Sequence, residues 1–140
     1  MEGFKFLPLL GRILMGGPFV ISGLGKLVAY GATVGYIAAM GLPVPPLAFV
    51  VSVLIELGGG LLLLSGYRVR IVSLALAVFC LVTAIIFHHN FADHNQSINF
   101  FKNVMMAGGL LQTAYFGAGA FSLDALFGRR ETQLSSLDAR

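Results

Sequence analysis

Three histidines and an aspartate follow the end of a long apolar run in the segment IIFHHNFADHNQ, residues 85–96. Imidazole and carboxylate groups bind zinc, copper and iron, and imidazole also exchanges protons near neutral pH. His88, His89, Asp93 and His94 are therefore candidates for a metal site, a proton relay or a membrane-boundary cluster. Adjacent histidines point about 100° apart on a helix, and His94 lies past the helix end. This spacing favours the boundary cluster first, a relay toward Glu56 second and a metal site last, so we predict no bound metal.

Charged side chains inside apolar runs form a second set of candidates. Glu56 lies at the midpoint of such a run, where an ionisable residue costs about 2.5 to 3.5 kcal/mol on membrane-insertion scales. Arg12, Phe19 and Lys26 are spaced by sevens, which leaves them within about 40° of one another on a helix. Lys102 begins a similar stripe in the last apolar run. We predict that these stripes face the protein interior and meet around Glu56.

This buried polar pocket has two interpretations. In the first, Glu56 forms a structural ion pair with Arg12, Lys26 or Lys102, or is protonated because burial disfavours its charge. In the second, the pocket binds a lipophilic redox molecule such as a quinone. A quinone needs hydrogen-bond donors at its carbonyl oxygens and an apolar slot for its tail, and the composition of the pocket supplies both.

The composition indicates a bilayer as the solvent. The 140 residues are 57% hydrophobic and 11% charged, with a mean hydropathy of +0.88, whereas soluble domains carry about 25% charged residues. Cys80 is the only cysteine, which excludes an intramolecular disulfide and any C-x-x-C motif. The basic residues are dispersed at the ends of apolar segments, so nucleic acid is not an expected partner.

The apolar runs predict an all-α membrane protein, a bundle of four transmembrane helices. The predicted spans are about 7–29, 46–65, 70–88 and 100–120. Residues 31–45 are too short to span a membrane and too apolar for an open loop, so they predict a short interfacial or re-entrant helix between helices 1 and 2. We expect one transmembrane domain, residues 1–128, followed by a charged cytoplasmic tail, residues 129–140.

The distribution of cations predicts the orientation in the membrane. Four spans place both termini on one side, together with the turn between the second and third spans. That side holds seven of the nine Lys and Arg residues: Lys5, Arg12, Arg68, Arg70, Arg129, Arg130 and Arg140. The positive-inside rule therefore places both termini in the cytoplasm and the histidine cluster on the outer face of a bacterial inner membrane.

The ordered set of segments resembles the DoxX family of small bacterial membrane proteins. The matching segments are GRILMGGPFVISGLGKL, GLPVP, ELGGGLLLLSGYRVR, the histidine-containing exit of the third span, FFKNVMMAGGLL and GAGAFSLD. The resemblance implies a four-helix membrane bundle and a link to quinone-coupled sulfur oxidation or to membrane oxidoreductase complexes that respond to oxidative stress. It also implies that Lys26, Glu56, Lys102 and Asn103 occupy the family's recurrent polar positions, which adds Asn103 to the pocket.

Two functions are consistent with the sequence. One is a quinone-interacting membrane component of a redox system, with soluble or membrane redox partners and with His88 or His89 exchanging protons with the outside. The other is a non-enzymatic scaffold or small carrier that recruits soluble partners through Arg129 and Arg130. The chain shows no nucleophile paired with a base and no cofactor fingerprint, so no particular reaction can be read from the sequence and enzymatic activity stays open. The sequence contains no feature that indicates the oligomeric state.

Overall fold

The fold is a set of packed helices. A computed structural model describes residues 4–138, with side chains for residues 4–130, and this part of the chain forms helices without a strand. The helices are α1 (Leu7–Val28), α2 (Tyr30–Ala39), α3 (Pro45–Val53), a π-helical segment (Leu54–Gly58), α4 (Gly59–Ser65), α5 (Val69–Phe87), α6 (His94–Phe116) and α7 (Leu123–Asp138). The prediction of an all-α protein is therefore confirmed for the described residues.

Three of the described helices are long and apolar enough to cross a membrane. They are α1, α5 and the continuous helix Pro45–Ser65, which comprises α3, the π-helical segment and α4. The predicted fourth span, 100–120, falls on α6, which begins earlier and ends earlier than expected. The start is fixed by Asp93, whose carboxylate accepts hydrogen bonds from the Asn95 and Gln96 amides. The end is fixed by Gly117, which adopts a φ of 85°.

Glycines bring α1 and the helix Pro45–Ser65 into close contact. A Cβ at Gly16 would lie 3.1 Å from the carbonyl oxygen of Gly60, and a Cβ at Gly23 would lie 3.0 Å from the Cβ of Leu57. Small residues at such positions let two helix backbones approach in a membrane protein, where packing and not the hydrophobic effect drives association. The close approach also fixes which residues of α1 lie opposite the π-helical segment.

The larger apolar core lies between α4, α5 and α6. Leu63, Leu76, Cys80 and Leu110 are completely buried there, and α5 packs along α6 over most of its length. A smaller cluster of Ile37, Phe49 and Val53 joins α2 to α3. The two clusters leave space between them, which is where the candidate site lies.

Two predicted segments take a defined form. The short helix expected within residues 31–45 corresponds to α2, which ends before a proline-rich turn; its location at a membrane interface stays a prediction. The expected tail, residues 129–140, continues a helix that has already begun at Leu123. Residues 139–140 of that tail lie outside the described residues.

Candidate functional site

Lys26 and Glu56 form an ion pair between α1 and the π-helical segment. The Lys26 ammonium donates to Glu56 Oε2 and, at 3.3 Å, to the hydroxyl of Ser22. The Ser22 hydroxyl donates to Glu56 Oε1 at 3.3 Å, so both carboxylate oxygens have a donor. The Glu56 side chain is 8% exposed and the Lys26 side chain 26%. Of the three cations considered for Glu56, the structure pairs it with Lys26.

The π-helical segment has Glu56 at its centre. A π turn widens a helix by one residue, and such turns are often found at functional sites. Before the segment, Ser52 lines the same opening as Glu56. After it, a Cβ at Gly59 would lie 2.9 Å from Leu76 Cδ2, and Gly60 packs on α1. The wide turn thus lies between a half of the helix that lines the cavity and a half that packs closely on α1 and α5.

A cavity of about 430 Å³ lies beside the ion pair. Its walls come from α2, α3, the π-helical segment and α5, with Lys26 of α1, and they are mainly apolar. The polar residues that line it are Lys26, Thr33, Tyr36, Ser52, Glu56, Thr83 and His88. Val51, Val78 and Val82 also line it and are exposed, so the cavity opens sideways between α3 and α5. Its volume is typical of a small-molecule site, about 300 to 1,000 Å³.

The cavity runs along α5 from Ala75 to His88. At about 1.5 Å per residue, that stretch of helix is roughly 20 Å long. At its end, the Tyr36 hydroxyl donates to the Phe87 carbonyl oxygen at 3.3 Å. Burial lowers the pKa of His88 below the ordinary value of 6.5, because desolvation penalises the imidazolium. The neutral ring offers one donor and one acceptor nitrogen.

Arg12 lies apart from the ion pair, although it shares a helix face with Lys26. Its guanidinium donates to the carbonyl oxygens of Leu63 at 3.2 Å, Leu64 at 3.0 Å and Phe121. We call this arrangement the arginine clamp. The first two carbonyls belong to the last turn of α4, where a cation is favoured, and Leu63 O also accepts from the Gly66 amide at 3.2 Å. Arg12 therefore closes a helix end and joins it to the segment before α7.

Two neighbours complete the arginine clamp. Gly66 ends α4 with a φ of 74°, and the Tyr67 amide donates back to Leu62 O at 3.1 Å. Asp124 accepts hydrogen bonds from the Arg68 and Val69 amides, at 2.6 Å and 2.9 Å, and so caps α5. Sequence reasoning missed Asp124 because its partners are far away along the chain.

Ser22 was also missed, although the sequence contained a signal for it. It precedes Lys26 by one helical turn, on the same face of α1, so its hydroxyl can reach whatever partner Lys26 meets. A serine at this spacing from an intramembrane lysine is a reason to include both in one polar group.

Lys102 and Asn103 do not join the ion pair. Lys102 is exposed on α6, and the Asn103 amide donates to the Asn99 carbonyl oxygen at 2.9 Å. The stripe that begins at Lys102 faces inward only further along, where Met106 packs against the core and a Cβ at Gly109 would lie 3.4 Å from Met15 Sδ.

The histidine cluster divides between two environments. His88 lines the cavity, whereas His89 and His94 are exposed and Asp93 is the N-cap of α6. The His89 Nδ1 atom lies 3.1 Å from the Ile86 carbonyl oxygen. Across the described part of the chain, no group of three or more His, Cys, Asp and Glu residues is placed to hold a metal ion.

Comparison with known proteins points to one family. The DoxX family model matches residues 7–89, a range that includes the ion pair and every residue lining the cavity. The chain is 43% identical over 122 residues to inner membrane protein YqjF of Escherichia coli strain K12, covering 87% of this chain and 92% of YqjF. It is 37% identical over 123 residues to inner membrane protein YphA of the same strain, covering 84% of this chain and 88% of YphA. No solved structure matches it significantly.

Proposed function

This chain belongs to the DoxX family, and from that premise we propose that it is a multi-pass inner membrane protein that binds a lipophilic molecule of the quinone class. Both relatives are named as inner membrane proteins. Three helices of this chain have the length and apolar character that crossing a membrane requires. The ligand site is the cavity beside Lys26 and Glu56.

In this proposal α6 is the fourth membrane-spanning helix and α2 a short interfacial helix. α6 packs along α5, and its opposite face presents exposed apolar side chains suited to lipid: Phe101, Val104, Met105 and Leu111. Its mean hydropathy is low because its first turns carry His, Asn, Gln and Ser. At about 1.5 Å per residue, the 10 residues of α2 reach about 15 Å, half the hydrocarbon thickness.

The observation that carries the proposal is the position of the ion pair on the wall of an apolar cavity. An ion pair with a purely structural role needs only its partners and close packing. Here both Lys26 and Glu56 line the cavity, so in the proposal a ligand meets a residue that can donate and one that can accept. The opening between α3 and α5 would face the bilayer, the phase in which quinones are dissolved.

The far end of the cavity supplies a second polar group. His88, neutral when buried, and the hydroxyl of Tyr36 lie where the cavity approaches the end of α5. Reduction of a quinone consumes protons. In the proposal, His88 exchanges protons with the outer side and the ion pair holds the ligand's carbonyl oxygen, while electrons come from a soluble or membrane redox partner. Both termini are cytoplasmic, as the distribution of Lys and Arg favours.

The test is native mass spectrometry of protein extracted gently from its own membranes, followed by titration with a short-chain benzoquinone. We expect wild type to retain a quinone-sized ligand and E56Q to bind the benzoquinone about tenfold more weakly, since hydrogen bonds to charged groups contribute about 1.5 to 3 kcal/mol. K102M is the matched control, because it removes an exposed membrane cation. Normal insertion of the double variant K26M/E56Q with unchanged binding would exclude the proposed site.

The second candidate is a scaffold or small carrier. The observation that favours it is α7, whose exposed Arg129 and Arg130 lie beyond the helices that form the core. A scaffold tolerates K26M/E56Q, because a neutral pair leaves no lone buried charge. It does not tolerate R129Q/R130Q, which should release a co-purifying soluble partner without changing benzoquinone binding.

A further inference from the structure

We infer that a second site, separate from the cavity, binds the phosphate of an anionic phospholipid headgroup. It is an open notch of about 530 Å³ where Arg68 and Arg70, at the start of α5, face the loop between α6 and α7. We call it the Arg70 notch. This inference does not depend on the quinone proposal, because the two sites share no lining residue.

The Arg70 notch carries an uncompensated positive charge. Within the described chain, the Arg70 guanidinium has no hydrogen-bond or ion-pair partner, and its Nε would lie 3.6 Å from a Cβ at Gly117. The guanidinium of Arg68 lies 5.8 Å from the ring centroid of Tyr67. The carboxylate that lines the notch, Asp124, already accepts hydrogen bonds from two backbone amides. An anion is therefore the expected occupant.

The backbone at Arg68, where the notch begins, is held in place by contacts within the chain. Arg68 has a φ of 47°, a conformation that costs a residue other than glycine about 1 to 2 kcal/mol. The Asp124 carboxylate stabilises it by binding the amides of Arg68 and Val69. Pre-organisation of this kind reduces the entropy lost when a ligand binds.

The apolar surroundings favour a lipid over a free phosphate. Ile71 on α5 and Phe116 on α6 form part of the notch and are 64% and 74% exposed. They begin the apolar faces that α5 and α6 would present to the bilayer, so acyl chains can lie against them while the phosphate meets the guanidinium groups. Arginine binds phosphate in a bidentate manner, and basic pockets between membrane helices bind anionic headgroups.

The experiment is native mass spectrometry of the full chain in detergent, titrated with phosphatidylglycerol or with phosphatidylcholine. We expect wild type to retain one phosphatidylglycerol in preference to phosphatidylcholine. R70Q should bind it about tenfold more weakly, a loss of one charge-assisted contact. The control R129Q/R130Q removes two surface cations outside the notch and should change the affinity less than about twofold. E56Q should bind phosphatidylglycerol like wild type.

Three outcomes would overturn the inference. Equal weakening by R70Q and R129Q/R130Q would mean diffuse attraction to surface charge. Displacement of the lipid by glycerol phosphate at matched concentration would mean an anion site without lipid recognition. Unchanged retention in R70Q would exclude the notch. If R70Q does not fold, R68Q replaces it with the same expected loss, because the Arg68 amide that binds Asp124 is retained.

Discussion

Two cations of α1, Arg12 in the arginine clamp and Lys26 beside the cavity, lie inside the protein in different surroundings. Arg12 and Lys26 lie on one face of α1 and both are directed into the protein. Arg12 meets three carbonyl oxygens in a site without spare volume. Lys26 meets one carboxylate and one hydroxyl at the edge of an empty apolar space. The two buried charges therefore differ in the free volume beside them, and this difference is the basis for proposing a ligand site at Lys26 and not at Arg12.

Two individual glycines, Gly66 at the arginine clamp and Gly58 in the π-helical segment, differ in the space around them. A Cβ at Gly66 would lie 2.4 Å from Arg12 Nη1 and 2.5 Å from Ser122 Cβ, so the arginine clamp has no room for a methyl group. A Cβ at Gly58, in the π-helical segment, would have no neighbour within 4 Å. The packing around the arginine clamp therefore excludes a methyl group that the position of Gly58 would admit.

The largest expected effect is loss of the arginine clamp. R12M removes the guanidinium donors of the Leu64 and Phe121 carbonyl oxygens, while Leu63 O keeps its bond from the Gly66 amide, and each acceptor left unsatisfied costs about 1 to 3 kcal/mol. We expect the free energy of unfolding in detergent to fall by about 3 kcal/mol or more. K102M, which removes an exposed cation, should change it by less than about 0.5 kcal/mol. Equal stability of R12M and K102M would contradict a structural role for the clamp.

The second prediction compares alanine at the two glycines. G66A combines a φ of 74°, which disfavours a Cβ, with overlap of Arg12 and Ser122, so we expect a loss of about 2 kcal/mol or more of unfolding free energy. G58A enters open space at a helical φ and should be neutral or stabilising by up to about 1 kcal/mol. Thermal unfolding followed by circular dichroism measures both. A similar loss in both variants would show that the ends do not differ in packing.

The third prediction tests the cavity with two adjacent valines. Val50 and Val51 are 49% and 45% exposed on α3, but only Val51 lines the cavity. V51F should fill part of the space and weaken benzoquinone binding about tenfold, or about 1.4 kcal/mol, with little change in stability. V50F adds the same volume on the lipid-facing side and should bind like wild type. Equal affinity of the two variants would place the ligand elsewhere.

Sequence periodicity predicted which face of α1 is buried, but it did not predict which group each cation on that face contacts. Lys26 follows Arg12 by 14 positions, which correspond to about 21 Å of helix, too far for both to reach Glu56. Applied to the sequence, that distance would have separated the two. Lys102 failed to join the pair for a related reason: it lies near the polar start of α6, where its stem can carry the ammonium to water.

Other features were beyond the reach of the sequence. The cavity is a gap between side chains of α2, α3 and α5, so it depends on how non-neighbouring helices separate and not on any local pattern. The π turn at Glu56 has no spacing signal of its own, because its five residues continue the apolar run around them. By contrast, the all-α fold and the apolar helices follow from composition, which a bilayer constrains strongly.

The smallest expected effect concerns His88, the titratable group where the cavity reaches the end of α5. Burial lowers its pKa in the folded protein, whereas in the unfolded chain the value returns to about 6.5. As pH falls through that value, His88 takes up a proton in the unfolded state before it does so in the folded state, so the free energy of unfolding decreases. We expect wild type to lose more thermal stability than H88Q between about pH 7.5 and about pH 5.5.

The control for this comparison is H94Q, which removes an exposed histidine of the same cluster and keeps His88 in the cavity wall. H94Q should retain the acid-dependent loss of stability that H88Q reduces. If the two variants respond to pH in the same way, the cavity does not set the protonation of His88. Its proposed exchange of protons with the ligand would then lose its physical basis, while the ion pair of Lys26 and Glu56 could still bind a neutral ligand, because that contact does not require His88 to titrate.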